Sequence, residues 1–176
     1  LGKTWTKPVE IPELGWTNEP GGVVTAVADV TPGWHAPTGK LIAIGAKVRY
    51  SPAGVELNDL TRSNQTAYAV HDPNSGAWSR WKLLEMPKDK KFDFNRNACA
   101  QWLVEPDGTL LVPFYCGESD KVPFFVTVAR CGFDGDTLRY LEHGDEISLD
   151  VERGLVEPQL AKFQGRYYLS LRNDLK

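Results

Sequence analysis

Residues 101–112 read QWLVEPDGTLLV and have the pattern of a tight β-hairpin. Apolar residues lie on both sides of the dipeptide Asp107-Gly108, and Asp-Gly readily adopts the dihedral angles of a short hairpin turn. Residues 34–44 and 160–169 have the same pattern around a central glycine. The hairpin glycines are 69 and 57 residues apart in the chain, at Gly39, Gly108 and Gly165. The sequence therefore predicts one β-unit that recurs at a long period.

A second turn type follows the first two hairpins, at residues 71–78 and 133–138. Two turn types that alternate at one long period indicate about four short strands per repeat, which favours a β-propeller over a sandwich. We expect an all-β fold with an incomplete set of blades. Residues 1–16 would end a preceding blade, with residues 4–11 as its last strand. Residues 22–87 and 95–149 would form two blades, and residues 153–176 half of a third.

Composition limits the classes of protein. The chain has 41% hydrophobic and 11% aromatic residues, and its 16 glycines and 12 prolines leave little room for long helices. The net charge of -3 comes from interspersed signs, so we expect no nucleic-acid partner. No apolar run is long enough to span a membrane. Three cysteines lack the spacing of a zinc site, and we expect buried free thiols, with a Cys99–Cys116 disulfide as the alternative.

Several motifs resemble those of the sialidase (neuraminidase) superfamily. Residues 2–9 resemble the end of an Asp-box repeat, and residues 72–78 and 134–138 resemble degenerate copies. Residues 154–173 resemble the sialidase segment that carries a catalytic glutamate on one inner strand and a substrate-binding arginine on the next. The resemblance to bacterial exo-α-sialidase-like proteins extends over nearly the whole chain and implies a propeller of the sialidase type.

Glu157 and Arg172 are the candidate residues with the most direct physical argument. They lie at nearly equal distances from a turn near residue 164, so they could face one opening from adjacent antiparallel strands. An arginine there offers a planar set of donors to a carboxylate. The resemblance implies that Glu157 is the base that activates a tyrosine nucleophile. The alternative is a structural ion pair that holds two strands together.

Other candidates depend on the resemblance. The family has an Arg-Ile-Pro motif where this chain has Val30-Thr31-Pro32, so one substrate-binding arginine is missing. His35 could occupy part of that space or be a structural turn histidine. We predict Asp59 as the acid that protonates the leaving group, with Glu56 as an alternative. The alternative role for Asp59 is that of a solvated acidic residue in a loop. Arg49 is a further candidate for the substrate anion.

We expect most tryptophans to be core residues. Trp34 and Trp102 are the two that we expect to be available to stack on sugar rings. The predicted function is that of a retaining exo-α-sialidase-type glycoside hydrolase that acts on terminal acidic sugars without a cofactor or metal. The nucleophile and the third arginine would lie beyond Lys176, so the chain alone should be inactive. Its partners would be a carbohydrate and the missing blades, and its location secreted or periplasmic. The alternatives are a non-catalytic carbohydrate-binding propeller and a structural scaffold.

Overall fold

The structure, a computed structural model, describes residues 2–57, 65–118 and 123–175. Within these ranges the regular structure consists of strands and three single-turn 3-10 helices, at Pro12–Leu14, Pro20–Gly22 and Lys90–Phe92. The described residues contain no α-helix. The predicted all-β class is therefore confirmed.

The strands form three antiparallel sheets. The first contains β1 (Thr17–Asn18), β2 (Val24–His35), β3 (Lys40–Tyr50), β4 (Thr66–Asp72), β5 (Ala77–Trp78) and β6 (Lys82–Leu83). The second contains β7 (Phe94–Arg96), β8 (Leu103–Val104), β9 (Leu110–Gly117), β10 (Phe125–Phe133), β11 (Leu138–His143) and β12 (Ile147–Ser148). The third contains β13 (Val156–Phe163) and β14 (Arg166–Arg172).

All three sheets contain a strand that is joined to the next strand by a glycine-containing hairpin. The first sheet has the order β1-β2-β3-β4-β5, and β6 also pairs with β4. In the second sheet, β7 and β8 pair with successive parts of β9, followed by β10 and β11, and β12 also pairs with β10. In each sheet a strand runs into one of the predicted glycine hairpins. We call β2, the β7–β8 pair and β13 the leading strands.

The hairpins form because their turn residues accept left-handed backbone conformations. At the β13–β14 turn, Gln164 and Gly165 have φ angles of 49° and 73°, as the mirror-image turns of two-residue hairpins require. At the β8–β9 turn, Gly108 donates its amide to the Glu105 carbonyl at 2.9 Å. The Asp107 carboxylate accepts the Thr109 amide at 3.0 Å. The turn residues identified in the sequence therefore form the hairpins, and their amides and the Asp107 carboxylate stabilise the β8–β9 turn.

A first hydrophobic core lies between the first and second sheets. Its buried members are Ile42, Ile44, Tyr68, Val70, Leu84, Phe92, Trp102, Leu110, Val112, Phe114, Cys116, Ala129, Cys131 and Leu138. Trp102 is 3% exposed and donates its indole N–H to the Thr31 carbonyl at 3.2 Å. The expectation that Trp102 is available to a sugar is therefore wrong, because its ring fills the space above Gly33, where an added Cβ would overlap the ring.

A second core joins all three sheets, and its buried members are Ala46, Phe94, Ala98, Tyr115, Phe124, Val126, Leu155 and Val156. Backbone bonds reinforce it, because Phe124 donates to the Arg153 carbonyl at 2.8 Å and Leu155 donates to the Phe124 carbonyl at 3.2 Å. The third sheet is thereby attached to the second just before Glu157.

Residues 4–11 form no strand, in contrast to the strand expected there. Pro8 lacks the N–H that a central ladder position needs, and most side chains of this segment are exposed, with Trp5 at 88%. Chain pairing in this region begins only with β1, which pairs with β2.

All three cysteines are free thiols, so the alternative Cys99–Cys116 disulfide is not formed. Cys116 and Cys131 are buried, as expected, and burial raises the pKa of Cys131 to about 12. Cys99 is exposed, which the sequence did not predict.

Candidate functional site

Each leading strand contains one non-glycine residue with a left-handed backbone. These residues are Asp29, Cys99 and Glu157, with φ angles of 55°, 54° and 50°. Asp29 and Glu157 lie where the pairing register shifts within β2 and β13, and Cys99 lies between β7 and β8. Such conformations cost on the order of 1–3 kcal/mol each and cluster at functional sites. The repetition of this irregularity in three sheets indicates a shared site.

Hydrogen bonds connect Asp29 to Cys99, and Cys99 to Gln159, two residues after Glu157 in β13. The Cys99 amide donates to the Asp29 carbonyl at 2.9 Å. The Gln159 side chain donates to the Cys99 carbonyl at 2.7 Å, and its oxygen accepts the Gln101 amide at 3.0 Å. The leading strands therefore converge at one place. We define the three-sheet junction by its polar residues, which are Asp29, Arg96, Cys99, Tyr115, Glu157 and Arg172.

Glu157 and Arg172 contact each other directly. The Arg172 Nη1 donates to Glu157 Oε1 at 2.6 Å, and Nη2 donates to Asp174 Oδ1 at 3.2 Å. Asp174 also accepts from the Arg153 Nε at 2.6 Å. The Glu157 carboxylate raises the pKa of Arg172, and the Arg153 guanidinium lowers the pKa of Asp174. Both interpretations of the pair, a ligand-binding one and a structural one, predict this contact.

The backbone of Glu157 makes the contact possible. Val156 is opposite Arg172 in the ladder, so in a regular strand Val156 and Arg172 would share a face and Glu157 would point to the other face. The register shift between Val156 and Gln159 and the left-handed φ of Glu157 interrupt this alternation. As a result, the carboxylate reaches Arg172, and both side chains remain about half exposed, at 41% and 51%.

Arg96 and Tyr115 are paired residues of β7 and β9 on the same junction. Burial raises the pKa of the Tyr115 hydroxyl, on which the charges of Arg96, Glu157 and Asp29 also act. Arg96 Nη2 lies 4.0 Å from Asp29 Oδ2. Oppositely charged side chains from three sheets are therefore close together beside the second core.

The Cys99 thiol also belongs to the junction. Burial raises its pKa, and the neighbouring Asp29 carboxylate raises it further. The thiol is therefore protonated at neutral pH and has little thiolate character.

Three predicted binding residues lie away from the Glu157–Arg172 pair. His35 is 1% exposed, and its ring nitrogens contact Thr38 Oγ1 at 2.7 Å and the Gly108 carbonyl at 2.8 Å. This is the geometry of the structural turn histidine. Trp34 is 51% exposed, but it lies five residues along β2 from Asp29, roughly 15 Å in extended chain.

Arg49 lies at the opposite end of β2 and β3 from the hairpin. Its Nη2 donates to Glu19 Oε2 at 2.7 Å, and its Nε donates to the same carboxylate at 3.1 Å. The planar donor face of Arg49 is thus occupied by Glu19. Glu56 forms a β-bridge with Tyr50, and Asp59 lies outside the described residues.

Sequence reasoning missed Asp29 and Arg96 as site residues and considered Cys99 only for its redox state. Asp29, Cys99 and Glu157 stand eight to ten residues before the three hairpin glycines, a spacing that is not constant. Their residue types differ, however, so no side-chain motif repeats. Only the shared backbone conformation shows that the positions correspond.

Among the described residues, no group of three or more His, Cys, Asp or Glu side chains is arranged to hold a metal ion. No helix in the described parts of the chain has the length and apolar character needed to cross a membrane.

The chain resembles a known protein in its fold. No protein-family model matches the chain. No curated protein matches it. Among solved structures, the chain is similar to the Hadza microbial sialidase Hz136, with a TM-score of 0.56 and 16% sequence identity. The match covers 85% of this chain and 29% of that sialidase. The chain therefore has a sialidase-like all-β fold and spans under a third of the length of that structure.

Proposed function

We propose that this chain is the part of a sialidase-like glycoside hydrolase that carries the catalytic glutamate and one substrate-binding arginine. The observation that carries the proposal is that Glu157 and Arg172, in contact with each other, both stay about half exposed at the three-sheet junction, beside charged residues of the other two sheets. The fold shared with a sialidase supports it. The blade boundaries, the Asp-box assignment and the secreted or periplasmic location remain predictions.

In the proposed reaction, Arg172 binds the carboxylate of a terminal acidic sugar. Two of its N–H groups are bound to Glu157 and Asp174, and a guanidinium has five such donors. Glu157 would take the phenolic proton of a tyrosine as that oxygen attacks the anomeric carbon, and the glycosidic bond would break. Water would then release the sugar with retained configuration. The tyrosine would come from another part of the complete protein, and Asp59 remains the proposed acid.

Glu157→Gln tests the base. The amide cannot accept the phenolic proton, so we expect kcat for a fluorogenic sialoside to fall by about 10²–10⁴-fold in the complete protein. The matched control is Glu105→Gln, because Glu105 forms an ion pair with Lys162 at 2.9 Å near the hairpin end of the third sheet. The control should keep the parent rate. Equal rates for Glu157→Gln and the parent would contradict the proposal.

A second candidate function is a carbohydrate-binding propeller without catalysis. The observation in its favour is Val30-Thr31-Pro32 in β2, where the family has a substrate-binding arginine. A protein of this kind would bind a sialoside and release no fluorophore. Measurement of binding and turnover on the same preparation separates the two functions.

A further inference from the structure

Tyr115 presents an unpaired hydroxyl at the three-sheet junction. The residue is 6% exposed, and its hydroxyl makes no hydrogen bond to the described residues. In those parts of the chain, the unpaired side-chain atoms that are inaccessible to solvent are Arg96 Nε and Asn97 Oδ1. The Tyr115 hydroxyl is not one of them, so a ligand can reach this oxygen although the ring is buried.

Aromatic contacts in the second core fix the ring of Tyr115. Its centroid lies 5.5 Å from that of Phe94, and 5.7 Å from that of Phe124 in an edge-to-face arrangement. The rings of Phe94 and Phe124 also stack on each other, with their centroids 4.4 Å apart. Because the three rings hold one another, the hydroxyl has a defined position, as a group that selects a ligand requires.

Charged groups from all three sheets act on this hydroxyl. Arg96 is the cross-strand partner of Tyr115 in β7, and the carboxylates of Asp29 and Glu157 come from the first and third sheets. Burial raises the pKa of Tyr115, so the phenol keeps its proton at neutral pH and can donate it. The side chains of Asp29 and Glu157 are both partly exposed and can accept hydrogen bonds from a ligand.

We propose that Tyr115 is a specificity-determining residue that donates a hydrogen bond to one hydroxyl group of the sugar bound at the three-sheet junction. This inference deepens the proposed function and rests on it, because the ligand is the same terminal acidic sugar. A hydroxyl group suits this position, since it accepts from the phenol and donates its own proton to Asp29 or Glu157. An anionic group suits it less, because the two carboxylates repel it. A sugar without this hydroxyl leaves the phenol unpaired and binds more weakly.

The test compares Tyr115→Phe with the parent in the complete protein. The probes are the methyl α-thioglycoside of N-acetylneuraminic acid, which resists hydrolysis, and its four monodeoxy analogues, each of which lacks one hydroxyl of the sugar. The Kd of each probe is measured by NMR titration. We expect Tyr115→Phe to raise the Kd of the complete thioglycoside by about 3- to 10-fold, as loss of one neutral hydrogen bond implies. The Kd of one deoxy analogue should be the same for both proteins, because that analogue lacks the partner of Tyr115.

Tyr68→Phe is the matched control. Tyr68 is a buried tyrosine of the first core, 2% exposed, and it lines a groove between the first and second sheets. Its replacement should leave the Kd of every probe unchanged. Tyr115→Phe keeps the ring and removes a hydroxyl that bonds to none of the described residues, so it should not lower Tm. A lower Tm with an unchanged Kd would show that the hydroxyl supports the fold, and would overturn the inference.

Failure of this inference and failure of the proposed function give different results. An unchanged Kd of the complete thioglycoside in Tyr115→Phe overturns the role of Tyr115, even if Glu157→Gln abolishes sialoside hydrolysis. An equal rise in Kd for the thioglycoside and all four analogues also overturns it, because no single hydroxyl is then the partner. A parent protein that shows the Tyr115 effect and hydrolyses no sialoside supports Tyr115 and contradicts the enzyme. A parent protein that binds none of the probes overturns the inference, and sialoside hydrolysis then decides the proposed function independently.

Discussion

A single residue, Glu157, decides which side of the third sheet carries the carboxylate. Its left-handed φ of 50° interrupts the alternation of β13 and turns the side chain toward Arg172. Side-chain spacing along the sequence contains no information about this dihedral angle. The conformation persists because the neighbouring backbone is fixed by Gly154, whose contact with Phe124 joins the second and third sheets.

Gly154→Ala is a prediction at this scale. Gly154 has a φ of 78°, and a Cβ there would lie 2.7 Å from the Phe124 nitrogen. We expect a loss of roughly 2–5 kcal/mol in the free energy of unfolding, from a left-handed alanine and from steric overlap with backbone. Urea unfolding followed by tryptophan fluorescence measures it.

Gly165→Ala is the matched control for Gly154→Ala. Gly165 also has a positive φ, of 73°, but nothing lies within 4 Å of its Cβ position. Only the conformational cost of about 1–2 kcal/mol should remain. Equal losses for the two variants would show that the approach of Phe124 to Gly154 is unimportant.

At the scale of elements, aspartates organise the hairpin turns. Asp134 Oδ1 accepts the amides of Asp136 and Thr137 at 3.0 and 2.8 Å, and Oδ2 accepts from Arg139 at 2.6 Å. These bonds hold the pKa of Asp134 at about 2, below its ordinary value of 3.8. The charged carboxylate therefore stabilises the turn between β10 and β11.

The pH dependence of stability follows from this depressed pKa. A carboxyl whose pKa is lower in the folded state stabilises the fold above pH 4, and this contribution is lost as the pH falls from about 4 to about 2. We expect Asp134→Asn to lower Tm at pH 7 and to reduce the fall of Tm over that interval. Circular dichroism melts at several pH values measure both effects.

Asp150→Asn serves as the control, because Asp150 makes no hydrogen bond or ion pair to the described residues and is exposed. Its Tm should follow that of the parent protein at every pH. A pH profile of Asp134→Asn that coincides with the parent profile would show that the turn bonds do not stabilise the fold.

At the scale of the whole molecule, contacts between sheets hold the leading strands together. Trp102 of the second sheet covers Gly33 of the first and bonds to the Thr31 carbonyl. We expect Trp102→Ala to cost about 3–5 kcal/mol in urea unfolding, as for other buried aromatic side chains. The half-exposed Trp34 is the matched comparison, and Trp34→Ala should cost less than about 1.5 kcal/mol. Similar losses would contradict the described packing.

Much of the fold was predictable from local patterns. The glycines at Gly39, Gly108 and Gly165 identified the three hairpins, because each turn contains a position with a left-handed backbone, which glycine adopts without strain. The absence of a strand at residues 4–11 was not predictable, since strand formation depends on a partner and not only on propensity. The pairing of Glu157 with Arg172 was predicted from spacing, although the bulge that produces it was not.

The sequence by itself determined the β-class, the hairpins and a plausible pair of charged residues, because these depend on neighbours along the chain. Only the tertiary structure decided that Asp29, Arg96, Cys99 and Tyr115 join Glu157 and Arg172 at one junction. The physical reason is that these positions belong to different sheets and meet through backbone irregularities and long-range hydrogen bonds, which leave no repeated pattern of residue types in the sequence.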